Sequence, residues 1–163
     1  MGCGPIAKLA TLICEKLSDG LVIVACGNNE KLIDQISRLG HSNILPLPYT
    51  KRMDLYLSAA DLYLTKAGGL STTEAIHKAT PLLYINAVPG CETRNIDFMS
   101  ENSYAAVAFS PEEASELAVS IVNDPKSATE NILKCRELLS PDPAEAICKK
   151  IEEFVLKKEA LTV

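Results

Sequence analysis

The chain has 163 residues, 47% apolar and 23% charged, which is enough for one ordinary soluble domain with a real core and excludes general disorder. Its 16 basic and 21 acidic residues leave a formal charge of −5, which argues against a broad nucleic-acid binder, because neutralising phosphates needs clustered Lys and Arg. Aromatics are only 5% with no Trp, so no stacking platform for single strands is expected, and no apolar run approaches the roughly 20 residues that span a bilayer.

The chain opens on Met1-Gly2-Cys3-Gly4-Pro5-Ile6, a glycine-rich turn that leads into a helix over Ile6 to Leu17. Such a turn normally follows a strand, and no residues stand before it to make one. Leu21 to Cys26 is a continuous β-type run, followed by Gly27-Asn28-Asn29 and a helical stretch from Glu30 to Leu39 that stops at Gly40. Asn43 to Leu47 is a second short run. Met53 to Ala60 reads as a helix with Met53, Leu57 and Ala60 on one face. Asp61 to Thr65 is a third run, then Gly68-Gly69 and a helix from Ser71. Leu82 to Ile85 and Ala105 to Phe109 are the fourth and fifth runs. Short buried strands alternating with helices predict βαβ units and a parallel sheet. The stretch from about residue 110 to 163 reads as mostly helical. Ser110-Pro111-Glu112-Glu113 is a capping-box start, and Asp142-Pro143-Ala144-Glu145 repeats that grammar before a helix ending near Lys158. The whole of 1–163 is one α/β domain, Rossmann-like, with helices on both faces, its first strand apparently missing and a helical tail.

The six cysteines (Cys3, Cys14, Cys26, Cys91, Cys135, Cys148) form no C-x-x-C pair, and with only His41 and His77 no zinc spacing appears. They read as small buried hydrophobes, and the histidines as ordinary surface or partly buried residues. No metal and no cofactor is expected.

Two segments concentrate chemistry. In Thr65-Lys66-Ala67-Gly68-Gly69-Leu70-Ser71-Thr72-Thr73-Glu74-Ala75 a buried strand ends, two glycines admit a ligand close to the backbone, and a helix begins. Free N–H groups at a helix start suit a phosphate. The same residues also read as a tight turn with a capping box, Ser71 as N-cap and Glu74 three residues on. The second segment, Val88-Pro89-Gly90-Cys91-Glu92-Thr93-Arg94-Asn95, follows the fourth strand and opens another helix, where loops at strand carboxyl ends line a ligand crevice. Taken alone, Glu92 also reads as a first-turn carboxylate favoured by the helix dipole. Lys66 at the crevice mouth reads as a solvated lysine.

The paired motifs Gly68-Gly69-x-Ser71-x-x-Glu74-Ala75, then Pro81, then Pro89-Gly90-x-Glu92-x-x-Asn95 resemble the C-terminal domain of glycosyltransferase family 28, above all its diacylglycerol glycosyltransferases. Met1-Gly2-Cys3-Gly4-Pro5-Ile6, Cys26-Gly27-Asn28-Asn29 and Pro48-Tyr49-Thr50 add to the match. Cys91 stands where the family usually has Gln, and Ala67 where it often has Pro.

The resemblance implies the C-terminal half of a GT-B fold and a UDP-hexose as donor substrate. Gly68, Gly69, Ser71 and Thr72 would face the diphosphate, with Gly2 and Gly4 as a second loop. Glu74 would accept from ribose hydroxyls, and Tyr49 and the Thr50 backbone would meet the uracil. Glu92 and Asn95 would address the hexose. The resemblance places the acceptor site, the membrane-facing surface and the catalytic base in an N-terminal domain. Alone, the chain is then expected to bind UDP-sugar and transfer poorly, in the cytoplasm or peripheral to a membrane. It reads as an excised domain, a truncated frame or a subunit with an acceptor-domain partner. The other readings are a non-catalytic nucleotide-sugar module and a GT-B epimerase.

In a Rossmann-like sheet the first strand is central. Without it, either Leu21–Cys26 pairs directly with Asp61–Thr65, or the N-terminal residues straighten into a partial strand, or another segment or chain fills the gap. A homo-oligomer exchanging strands is one route.

Overall fold

In the computed structural model, which describes residues 5–85, 90, 92–139 and 142–160 (the last four by backbone alone), the apolar runs all become parallel strands. β1 (Val22–Gly27) pairs with β2 (Ile44–Pro48), while β3 (Tyr63–Thr65), β4 (Leu82–Ile85) and β5 (Ala105–Ala108) form a second sheet in that order. Parallel neighbours need a crossover, and the helices supply it. They are α1 (Ile6–Lys16), α2 (Glu30–Ser37), α3 (Met53–Ala59), α4 (Gly69–Lys78), α5 (Thr93–Glu101), α6 (Pro111–Asn123), α7 (Lys126–Glu137) and α8 (Pro143–Ala160).

Alternation along the three-stranded sheet sorts its side chains into two cores. Tyr63, Leu82, Tyr84, Ala105 and Val107 pack with Ile76 of α4, Met99 of α5 and Ile132 and Cys135 of α7. Leu62, Leu64, Leu83, Ile85, Ala106 and Ala108 turn the other way, onto Leu9 and Ile13 of α1 and Ala114 and Ala118 of α6. Helices therefore cover both faces of this sheet, the Rossmann-like α/β arrangement. The two-stranded sheet differs. Val24, Cys26 and Ile44 pack under Ala7, Ala10 and Cys14 of α1 and Leu32 and Ile36 of α2. On its reverse face Ile23 is 42% and Leu45 47% exposed.

Of the alternatives left open by the sequence, direct pairing of Leu21–Cys26 with Asp61–Thr65 is not the one formed. Among the described residues β1 pairs only with β2, and β3 only with β4. The physical reason lies in α1. Leu9 and Ile13 belong to one core, and Ala7, Ala10 and Cys14 to the other. Val22 of β1 touches both cores, and Leu62 and Leu64 at β3 touch the one under Leu9 and Ile13. The helix lies over the seam between the sheets, and sliding β1 onto β3 would strip one of its faces. A partial strand in the first four residues lies outside the described residues.

Of the cysteines described, Cys14, Cys26 and Cys135 are buried as expected, whereas Cys148 is exposed on α8; Cys3 and Cys91 lie outside the described residues. His77 is exposed in the last turn of α4, and His41 is half-buried with its Nδ1 3.5 Å from the Cys14 thiol. Among the described residues no helix is long and apolar enough to cross a membrane.

Candidate functional site

The carboxyl end of β3 leads through Lys66 and the fully buried Ala67 into Gly68, whose N–H donates to the Lys66 carbonyl at 2.7 Å. Helix α4 starts at once, at Gly69, with Gly68 as an N-cap that has no side chain to offer. The Ser71–Glu74 capping box is not formed. Ser71 sits inside the first turn, and the first intrahelical bond runs from the Thr72 N–H to the Gly68 carbonyl at 3.0 Å. The glycine pair lets the helix begin two residues earlier than the Ser71 signal indicates. The consequence is electrostatic. A helix start carries a partial positive charge and N–H donors without intrahelical acceptors. Here the N-cap residue, a glycine, makes no side-chain cap.

Beside this turn stands Glu92, only 6% exposed, at the N-cap of α5. Its Oε1 lies 3.0 Å from the Lys66 Nζ. A Cβ on Gly68 would come within 3.7 Å of the same oxygen. Asn95, one turn into α5, donates from Nδ2 to the Ala67 carbonyl at 2.8 Å. Among the described residues, the Lys66–Glu92 ion pair and the Asn95–Ala67 hydrogen bond stitch the two strand-end loops together. A buried carboxylate needs such a partner, since an unpaired one is strongly disfavoured. The Lys66 side chain is half exposed.

Under the loop, the Thr72 hydroxyl is buried against the Tyr84 hydroxyl at 3.0 Å. Burial pushes the Tyr84 phenol above its ordinary value, keeping it neutral. Thr72 is therefore engaged beneath the loop. Ser71 is half-buried and Glu74 exposed on α4, one turn beyond the helix start.

The structure brings together Gly68, Gly69, Ser71, Glu92 and Asn95. Tyr49, 64% exposed, and Thr50 follow the end of β2 in the other sheet, where the Thr50 hydroxyl accepts from the Arg52 N–H at 3.0 Å. Among the described residues no side-chain hydrogen bond or ion pair joins them to the Gly68 loop. Gly2, Gly4 and Cys91 lie outside the described residues. Sequence reasoning missed Lys66 as the partner of Glu92, and Tyr84 as the anchor of Thr72. The signal for the first was available: β3 and β4 are consecutive, so charges at their carboxyl ends become neighbours once those strands pair.

Comparison with known proteins fits this geometry. Residues 6–123 match the family model described as the glycosyltransferase family 28 C-terminal domain. The processive diacylglycerol beta-glucosyltransferase of Staphylococcus aureus (strain Newman) is 26% identical over 149 residues, covering 90% of this chain and 38% of the relative. The proteins of the same description from strains COL and MW2 match to the same extent. The chain thus spans 38% of the length of these relatives. It belongs to the glycosyltransferase family 28 C-terminal domain family.

Proposed function

We propose that this domain holds UDP-hexose as the donor for hexosyl transfer to a lipid acceptor such as diacylglycerol. The observation that carries the reading is the uncapped start of α4 at Gly68–Gly69, set beside the Lys66–Glu92 pair. In the transfer, an acceptor hydroxyl forms a bond to the anomeric carbon, the bond from that carbon to the diphosphate oxygen breaks, and the hydroxyl proton passes to a base. Charge grows on the departing UDP. Fixed N–H groups of Gly69, Leu70 and Ser71 stabilise that charge without reorganising. Glu92 and Asn95 stand where hexose hydroxyls need acceptors and donors, and Glu74 reaches the ribose. That the relatives are diacylglycerol glucosyltransferases supports glucose as the sugar and diacylglycerol as the acceptor. With transfer to such a lipid the domain works in the cytoplasm at a membrane surface, as part of a larger assembly.

Titration calorimetry with UDP, UDP-glucose and UDP-galactose tests the reading. All three are expected to bind, with UDP-glucose the tightest. Glu74→Gln is expected to weaken each by about tenfold or more, since a hydrogen bond to a charged group is worth about 1.5–3 kcal/mol. Absence of UDP binding overturns the proposal, and unchanged affinity in the variant removes Glu74 from the site.

A further inference from the structure

Two features of opposite sign meet at the start of α4. The first turn offers N–H donors and a partial positive charge, which suit an anion. The buried Glu92 already brings a carboxylate to the same place, since a Cβ on Gly68 would come within 3.7 Å of its Oε1. A second anion arriving there is repelled, and burial removes much of the screening that water would provide. The Lys66 Nζ lies 3.0 Å from that same oxygen. The loop itself delivers this cation. The Gly68 N–H donates to the Lys66 carbonyl at 2.7 Å, and the Asn95 Nδ2 donates to the Ala67 carbonyl at 2.8 Å, so the backbone that carries the lysine is tied to both the glycine turn and α5. In the other ion pairs that join two described residues, both side chains are at least 38% exposed; here the carboxylate side chain is 8% exposed. Exposed pairs contribute little, whereas a charge near a desolvated carboxylate acts strongly.

We propose that Lys66 is a positioning residue for the donor: by neutralising Glu92 it lets a nucleoside diphosphate settle on the start of α4 beside a carboxylate kept for the sugar. The inference rests on the donor reading above and gives a task to a cation which that reading leaves without one. Stitching the loops together does not call for charge, because the neutral Asn95–Ala67 hydrogen bond already joins the same two segments. Stability does not call for it either, since neutral groups commonly replace a buried ion pair at little cost. Charge does matter to an arriving anion, because one oxygen of Glu92 faces both the ammonium and the space over Gly68. The two roles separate cleanly. Every variant that breaks the pair loses the stitch. The formal charge of the pair, by contrast, becomes one unit negative without the lysine, one unit positive without the carboxylate, and neutral again when both are replaced.

Calorimetry with UDP, which carries the diphosphate and no hexose, compares the full chain with Lys66→Met, Glu92→Gln and the double variant, and thermal unfolding is followed for each. Lys66→Met is expected to weaken UDP by about tenfold or more, because a buried like charge is left beside the ligand. Glu92→Gln is expected to tighten UDP by about threefold, the modest gain of a half-exposed cation released toward it. The double variant is expected to return to within about threefold of the wild type. These differences shrink at high salt if charge is their cause. Weaker UDP binding in all three variants is the signature of a stitching role and overturns the proposal. So does wild-type affinity in Lys66→Met. A double variant as weak as Lys66→Met overturns it too, by making the lysine a direct ligand of the phosphates. Should Lys66→Met fail to fold, Glu92→Gln and the double variant still decide, by tightened and restored affinity against weakened affinity in both. No UDP binding by the wild-type chain removes the donor reading itself, whereas wild-type binding with a different order among the variants removes only the role of Lys66.

Discussion

At Gly69 a Cβ would meet nothing within 4 Å, and the backbone is not in the left-handed region. A side chain there is compatible with the fold but stands in front of the first-turn N–H groups. Gly69→Val is therefore expected to leave the melting temperature nearly unchanged and to weaken UDP by at least about tenfold, equivalent to roughly 1.4 kcal/mol. Parallel calorimetry and thermal unfolding check this; equal affinity in the two proteins would detach the Gly68–Gly69 turn from the donor. The neighbouring residues show what single positions disclose in a sequence. Glu92 and Asn95 were legible as members of the same crevice because both follow a strand end. Lys66 was not legible as their partner. Its role depends on which loops are adjacent in space, and an amphipathic lysine beside a glycine pair looks the same whether it is solvated or paired. Thr72 misled in the opposite way, since its hydroxyl points under the loop to Tyr84, a fully buried residue that the apolar run Leu82 to Ile85 presents merely as core.

At the scale of elements, two capping signals of similar appearance have different outcomes. At α6 the Ser110 hydroxyl accepts from the Glu113 N–H at 3.1 Å, and the Glu113 carboxylate accepts from the Phe109 N–H at 2.8 Å. Pro111 holds the first helical position, so the helix cannot begin earlier without losing that fixed geometry. At α4 Gly68, Gly69 and Leu70 stand before Ser71 with no proline among them, so no such stop is imposed and the helix starts at Gly69. One helix start is thus closed by its own side chains and the other is left open, on the side where the strand-end loops converge. Ser110→Ala is expected to cost about 0.5–2 kcal/mol. Its effect on thermal unfolding should be a fall of roughly 2–4 °C per kcal/mol. UDP affinity should not move, because the Ser110 hydroxyl is engaged by the Glu113 N–H within its own helix start. The Lys8 ammonium, hydrogen-bonded to the Glu112 carboxylate, holds that exposed carboxyl below its ordinary value. Whatever this pair contributes is present above the unfolded value and lost as the pH falls through the folded one. Strand and helix existence was readable throughout, since continuous apolar runs bounded by turn residues leave little choice. Boundaries moved by a residue or two, as in β1, which begins at Val22 and ends at Gly27.

For the whole molecule, the alternation of runs and helices discloses a parallel α/β domain, but it does not disclose whether the sheet closes. Closure depends on partners of β1 and β3, and a run of apolar residues has the same composition whether both its edges are paired or one. Among the described residues β1 and β3 belong to separate sheets, and the candidate site draws on both of them unequally. The chain spans 38% of its glucosyltransferase relatives, and the candidate residues gathered around Gly68 sit at strand ends of the three-stranded sheet and in the helices that follow. In the proposed reading Glu92, paired with Lys66 at 3.0 Å, addresses the hexose, and Glu74, one turn along α4, addresses the ribose. That reading assigns the proton of the acceptor hydroxyl to neither. Donor binding and proton removal therefore belong to different bodies in the proposed reaction. Purified alone with UDP-glucose and diacylglycerol vesicles, the chain is expected to bind donor yet form no glucosyl-diacylglycerol detectable by radiolabel transfer. Joined to the N-terminal part of the strain Newman relative, so that an acceptor domain is supplied, it is expected to form labelled glycolipid. The same fusion carrying Gly69→Val should lose that product while remaining folded. Sustained transfer by the chain alone would place the base within these 163 residues and overturn the division of labour. An inactive fusion in which UDP-glucose is bound would show that donor capture is not sufficient, and would count against diacylglycerol as the acceptor.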